Sequence, residues 1–306
     1  MSVLVVVQAR MGSTRLPGKV LQPLGGRPML DLQLARVAAG ASPEWQLVVA
    51  TSNAPIDDPV DELARQAGVA VVRGSELDVL QRFADALEAH PATHVVRLTG
   101  DCPLTDPAIV RDAVALHLES GAAYTSNVYP RSFPKGLDVE VMQADALRRA
   151  NAEARDPAER EHVTPYLVRR PELFPLATLF SGDDLGEEWW TVDRPEDLDR
   201  LRSMVDQLDD PVQAGWQTVL ATVGRTNGPA SEIHLRPLPP PPPGSHPWTR
   251  SWIAVQGGRE LTEVRVSVGN GHTTVSIDPC DDDAAVRAAL DRLLTGDVQI
   301  SRATPN

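Results

Sequence analysis

Val3-Leu-Val-Val-Val7 is an unbroken apolar run with no polar position to face water, the pattern of a strand covered on both sides in a parallel sheet. Leu47–Ala50, Val69–Val72 and the run His94-Val-Val-Arg-Leu98 read as further strands. Between them the period changes from continuous to helical. Met29, Leu30, Leu32, Leu34 and Val37 form one wide apolar face. Asp58-Pro59 supplies an N-cap and a first-turn proline for a helix that Gly68 closes, and Asp106-Pro107 repeats the device for a helix reaching about Leu118. Asp78 to Ala89 is a helix with Val79, Leu80, Phe83 and Leu87 inward. Strands and helices alternating in this way predict an α/β fold with a doubly wound, mostly parallel sheet.

The second half is less regular. Residues 123–142 read as strand, loop and strand, with Arg131-Ser-Phe-Pro-Lys-Gly136 as the loop. Asp156, Pro157 and Glu159 make a capping-box pattern before a helix running through His162 and Tyr166. Glu188–Val192 reads as a strand and Pro195–Leu208 as a helix. Pro237–Pro247 includes five consecutive prolines, an extended spacer. Beyond it, Trp252–Gln256, Glu263–Val268 and Thr273–Ile277 read as strands and Asp281–Leu294 as a helix, whose opening Asp281-Asp-Asp283 suits the positive end of the helix dipole. The expected division is a main domain over residues 1–236, a Pro-rich linker over 237–247 and a small α+β module over 248–306.

Composition narrows the function. A 42% hydrophobic share across 306 residues is ordinary for a globular chain, and a net charge of −13 argues against a general nucleic-acid binder. Residues 245–306 hold eight acids and six bases, so most of the acidity lies in the rest of the chain. Cys102 and Cys280 make neither a disulfide framework nor a metal cluster. No run approaches the ~18 apolar residues that span a membrane, and the N-terminal run is too short for a signal peptide. A cytoplasmic protein with no membrane or nucleic-acid partner is expected.

Against that acidic background, the stretch after the first strand is basic. Gln8-Ala-Arg-Met-Gly-Ser-Thr-Arg-Leu-Pro-Gly-Lys19 interleaves Arg10, Arg15 and Lys19 with small residues whose backbone N–H groups can crowd around a phosphate. It is neither a P-loop nor a dinucleotide fingerprint. Gly12 and Gly18 are separated by five residues, Val20 stands where a P-loop needs a hydroxyl, and no Gly-x-Gly-x-x-Gly occurs. A phosphate site for a nucleotide is the reading, with a surface turn as the plainer alternative.

This stretch resembles the opening motif of the cytidylyltransferase family that makes CMP-activated acidic sugars, closest to the branch named for spore-coat polysaccharide biosynthesis protein F. Further blocks agree in order: Arg73-Gly-Ser-Glu-Leu-Asp-Val-Leu-Gln-Arg82, Arg97-Leu-Thr-Gly-Asp-Cys-Pro-Leu104, Gly136-Leu-Asp-Val-Glu-Val141, Arg160-Glu-His-Val-Thr-Pro-Tyr166 and Trp190-Thr-Val-Asp-Arg-Pro-Glu-Asp-Leu198. The likeness covers roughly residues 1–210 and says nothing of the tail. It implies a nucleotide-diphospho-sugar transferase-like fold, CTP and a small anionic acceptor as substrates, Mg2+ as cofactor and a homodimer as the assembly to consider. The implied reaction is attack of an acceptor hydroxyl on the α-phosphate with loss of pyrophosphate.

By this resemblance Asp101 and Asp193 are the metal ligands and, with Arg15 and Lys19, the catalytic group. Each aspartate also has a structural reading, Asp101 as a turn residue before Pro103 and Asp193 as a cap with Glu196 three residues on. Gln8, Ala9, Arg10, Gly12, Ser13, Thr14, Arg73, Ser75, Asp78 and Arg97 are expected around the nucleotide, and Arg82 on the following helix has a solvated helix residue as its plainer alternative. Asp138 and Glu140 share a strand face and, with Arg131, Arg160 and His162, are the acceptor-side candidates. Another NTP or acceptor, a glycosyltransferase on the same fold, and a binding protein that has lost catalysis stay open at this point.

Overall fold

The computed structural model describes residues 2–223 throughout and, beyond them, five strands between residues 233 and 300. Two compact units emerge: the first comprises Met1–Tyr129, Phe133–Leu179 and Glu187–Arg225, the second Pro130–Ser132, Phe180–Gly186 and Thr226–Asn306.

In the first unit the chain runs through β1 (Val3–Gln8), a short hairpin of β2 (Pro23–Leu24) and β3 (Arg27–Pro28), α1 (Met29–Ala39), β4 (Trp45–Ser52), α2 (Asp58–Gln66), β5 (Ala70–Gly74) and α3 (Val79–Ala89). It continues with β6 (His94–Thr99), α4 (Pro107–Ser120), β7 (Tyr124–Ser126), β8 (Glu140–Gln143), α5 (Ala144–Glu153), α6 (Pro157–His162), α7 (Pro165–Val168), β9 (Leu176–Thr178), α8 (Pro195–Val205) and α9 (Trp216–Val223). Seven strands form one sheet in the order β5-β4-β1-β6-β8-β7-β9. All its pairings are parallel except the two that β8 makes with β6 and β7.

The apolar runs explain the layering. Successive residues of a strand point to opposite faces. Val3, Val5 and Val7 therefore join one core with α1, α4 and α8, while Leu4 and Val6 join a second with α3 and α5. Residues 3–7 are completely buried, as a strand covered on both sides must be. The doubly wound, mostly parallel α/β sheet expected from the pattern is the fold observed. Among the described residues, no helix is long and apolar enough to cross a membrane.

Several boundaries move for physical reasons. The helix expected through His162 and Tyr166 is two short ones, broken where Val163 takes φ +71° and Thr164 precedes Pro165, a position where the proline ring disfavours helix. Asp156 caps Ala158 N–H at 3.0 Å, but Glu159 is buried against Arg170 at 2.8 Å and does not complete a capping box. Glu188–Val192 is not a sheet strand: it makes one isolated parallel bridge, Trp189 to Lys135. The strand expected to carry both Asp138 and Glu140 on one face begins only at Glu140, so Asp138 lies before it. Arg82 is buried rather than solvated, donating to the carbonyls of Ser75 (2.6 Å) and Glu76 (3.1 Å).

In the second unit β10 (Ile233–Pro237), β11 (Thr249–Gln256), β12 (Arg259–Gly269), β13 (His272–Ile277) and β14 (Gln299–Ile300) form a sheet in that order, antiparallel except for the β13–β14 pair. These strands include the three expected there. The proline run beyond Pro237 and the expected helix Asp281–Leu294 lie outside the described residues.

Candidate active site

The loop after β1 is held open by its own backbone. Met11 O accepts from Ser13 N–H and Gly18 N–H, each at 2.9 Å, and Met11 N–H donates to Asp57 Oδ1 at 2.6 Å. Asp57 is buried and also accepts from Ser52 Oγ, so a carboxylate after β4 anchors the loop after β1. Gly18 stands at φ +70°, where a side chain is strained, and turns the chain so that Lys19 opens a 3-10 turn. Within the described residues the backbone N–H groups of Gly12, Thr14 and Arg15 make no hydrogen bond, which leaves them available to an anion.

Lys19 reaches across the sheet edge. Its Nζ donates to Asp101 Oδ2 at 3.2 Å, to Asp193 Oδ1 at 3.1 Å and to the carbonyl of Val192 at 2.6 Å. Arg15 adds a 3.0 Å contact to Asp193 Oδ1. Asp101 lies two residues beyond β6, at the carboxyl edge of the strands where open α/β sheets place ligands. The turn carrying it is fixed from below by buried Gln33, whose Nε2 donates to Thr99 O and Thr105 Oγ1, both at 2.9 Å. Buried Arg36 donates to the carbonyls of Thr105 (3.1 Å) and Leu104 (3.3 Å) in the same turn.

Asp193 arrives from far along the chain. Val192 N–H donates to Asp101 O at 2.9 Å, which zips the two aspartates together. Gly136, at φ +113°, lets this strand pass: a Cβ there would come within 2.5 Å of Trp190 C and 2.7 Å of Thr191 N. The plainer reading of Asp193, a helix cap, does not occur. Asp197 Oδ2 accepts from the N–H groups of Asp193 and Arg194, both at 3.0 Å, and Glu196 takes no part. The carboxylate of Asp193 is left for the cations.

Gln8, Ala9, Arg10, Gly12, Ser13, Thr14, Arg15, Lys19, Arg97, Asp101 and Asp193 line one cleft of about 350 Å³ with Val20, Thr99 and Gly100. The other expected residues lie elsewhere. Arg73 donates to Ser52 O (2.9 Å) and Ala54 O (3.0 Å) and pairs with Asp58 at 2.7 Å, tying β5 to the turn before α2. Ser75 Oγ accepts from Asp78 N–H at 3.1 Å. Asp78, expected at the nucleotide, and Arg160, expected at the acceptor, are bound to each other through two nitrogens at 2.7–3.0 Å. Glu140 is buried and Asp138 half-buried, His162 is exposed at the end of α6, and Arg131 belongs to the second unit. Thr99 and Gly100 sat unmarked inside the quoted Arg97–Leu104 block. Asp57, Asp197 and Arg36 carried no local signal at all.

Cys102 is no nucleophile. It is buried, and burial, reinforced by Asp101 and Asp138, pushes its thiol well above the usual range.

Two hard oxygen ligands at a cleft rim, already gathered about a cation, suit a divalent ion that takes one or two carboxylates and completes its shell from phosphates and water. No cluster of three or more metal-ligating side chains occurs among the described residues. The sheet and its flanking helices form a fold of the nucleotide-diphospho-sugar transferase type. The sequence profile of the cytidylyltransferase family matches residues 4–209, and the chain belongs to that family. Spore coat polysaccharide biosynthesis protein SpsF of Bacillus subtilis is 33% identical over 236 residues, spanning 75% of this chain and 97% of that protein. A cytidylyltransferase structure from Leptospira borgpetersenii superimposes with a TM-score of 0.69 at 34% identity, covering 73% of this chain and 94% of that one. The 3-deoxy-manno-octulosonate cytidylyltransferase of Xanthomonas campestris is 39% identical over 130 residues, 42% of this chain and 51% of that protein.

Proposed function

We propose that the protein transfers CMP from CTP to a hydroxyl of a small acidic sugar or related acid, releasing pyrophosphate, in a magnesium-dependent reaction of cytoplasmic polysaccharide biosynthesis. The observation that carries this reading is the meeting of Asp101, Asp193 and Lys19, from three distant parts of the chain, beside a loop with free backbone N–H groups. The acceptor oxygen forms a bond to the α-phosphorus, the α–β anhydride bond breaks, and the hydroxyl proton leaves to solvent. Asp101 and Asp193 would hold Mg2+, which when bound supplies positive charge to the phosphate oxygens. Arg10, Arg15 and the loop amides bind the triphosphate and retain the departing pyrophosphate. Lys19, a point charge on a flexible stem, holds the two carboxylates at a fixed separation and contributes its charge to the same phosphates.

The test is pyrophosphate release with CTP, Mg2+ and a panel of sugar acids, run beside ATP, GTP and UTP. Release with CTP alone among the four supports the reading. Equal or better turnover with another nucleotide replaces it by the neighbouring reading, a nucleotidyltransferase of different base preference. The names of the relatives support cytidine, and the SpsF likeness supports polysaccharide precursors as acceptors.

A further inference from the structure

Below the cleft a chain of polar contacts crosses the sheet. Arg97 Nε donates to Gln8 Oε1 at 3.0 Å, and Arg97 Nη1 is paired with Glu140 Oε2. The other oxygen of Glu140 accepts from Tyr124 OH at 2.6 Å and from Thr164 Oγ1 at 2.7 Å. The side chain of Arg97 is 14% exposed and that of Glu140 7%. Burial opposes the charge of Arg97, and the adjoining Glu140 carboxylate overrides it, so the guanidinium is held more firmly protonated than usual. Neither side chain is free to turn.

That rigidity has a chemical consequence at Gln8. A guanidinium carries only donors, so the amide of Gln8 must turn its oxygen toward Arg97, and its NH2 is left with donors to offer elsewhere. Gln8 lines the cleft immediately before the phosphate loop. We propose that Glu140 is a positioning residue: it fixes Arg97, Arg97 fixes the sense of the Gln8 amide, and Gln8 donates to an oxygen of the bound nucleotide. The pairing also neutralises Arg97, which acts as the brace of the amide and not as a phosphate cation. This rests on the proposed cytidylyltransferase reading and deepens it. Glu140 is moved from the acceptor side of the site to the support of its nucleotide side.

The experiment is a double-mutant cycle in the full chain, read as the CTP dissociation constant by calorimetry with Mg2+ present. Gln8→Met is expected to weaken CTP binding about tenfold, the order of one lost hydrogen bond. Glu140→Gln, outside the cleft, is expected to weaken it by a similar factor. The double variant should be no weaker than Gln8→Met alone, because both changes remove the same contact. Should Glu140→Gln fail to fold, Tyr124→Phe removes one hydroxyl from Glu140 and takes its place in the cycle. An unchanged dissociation constant for Gln8→Met, or losses that simply add, overturns the proposal. A wild-type protein that binds no CTP overturns the cytidylyltransferase reading itself.

Discussion

Asp197 accepts the backbone N–H of Asp193 at 3.0 Å and so takes over the capping of α8, which leaves the Asp193 carboxylate facing Lys19 and Arg15. One acidic residue serves the helix and its neighbour serves the cleft. Asp197→Ala removes the acceptor for two N–H groups, at a cost of about 1 kcal/mol in stability. The larger effect is expected on the site: with Asp193 loosened, the Mg2+ concentration needed for half-maximal pyrophosphate release should rise several-fold while the rate at saturating Mg2+ recovers. A magnesium titration of wild type and variant checks this, and an unchanged midpoint would free Asp193 of any dependence on Asp197.

Lys19 tests the cleft from the other side. It is one of only two lysines in a chain otherwise reliant on arginine for positive charge. An ammonium placed 3.1–3.2 Å from two carboxylates is compact, whereas a guanidinium is a broad planar fork. Lys19→Arg is therefore expected to lose turnover about as completely as Lys19→Met, at least 100-fold. Steady-state pyrophosphate release measures it, with circular dichroism to show that both variants fold. Near-normal turnover in Lys19→Arg would reduce the role of Lys19 to net charge.

Arg36 supports the Asp101 turn without touching the cleft. Besides Thr105 and Leu104 it donates to the carbonyls of Ala214 at 2.9 Å and of Pro211, joining the turn to the approach of α9. Burial lowers its pKa, against the opposing charges of Asp106 and Asp210. Arg36→Met relieves a buried charge but leaves four carbonyls without their donor. With ~1 kcal/mol or more for each stranded acceptor, the second effect wins, and a net loss of about 3 kcal/mol is expected in urea denaturation.

What was legible in advance follows from what periodicity can encode. A strand covered on both faces must be apolar throughout, so Val3–Val7 declared its place before any contact was known. The basic loop stood out because cations are costly to gather without an anion to meet them. Partners across the fold were not legible. Asp78 and Arg160 sit in different blocks and read as two ligand contacts, yet they neutralise each other across α3 and α6. Arg82 read as a helix-surface residue because a lone arginine on an apolar helix carries no mark of the carbonyls it will meet. Asp197, which carried no mark of its own, takes the helix N-terminus that Asp193 also fitted, and only geometry decides between them.

His117 gives the fold a pH dependence that can be isolated from the chemistry. Its ring is buried, with Nδ1 at 2.9 Å from Thr125 Oγ1, Nε2 without a hydrogen-bond partner, and the His94 ring edge-on at 5.2 Å. Burial, reinforced by His94, lowers its pKa from 6.5 to about 4. The native ring is therefore neutral where the unfolded one begins to take up a proton. Above pH 6.5 neither state is protonated and this group contributes no slope. As pH falls from 6.5 toward 4 the unfolded chain binds the proton and the native state does not, so stability declines, by up to about 3 kcal/mol. Below pH 4 both states are protonated and the decline from this group stops. His117→Gln removes the titration while leaving carboxylate effects in place. Urea midpoints at pH 7.5, 6 and 5 should fall more steeply for wild type than for the variant. Equal slopes would show that the native fold admits the proton, and with it that the His117 pocket opens to water more readily than its packing implies.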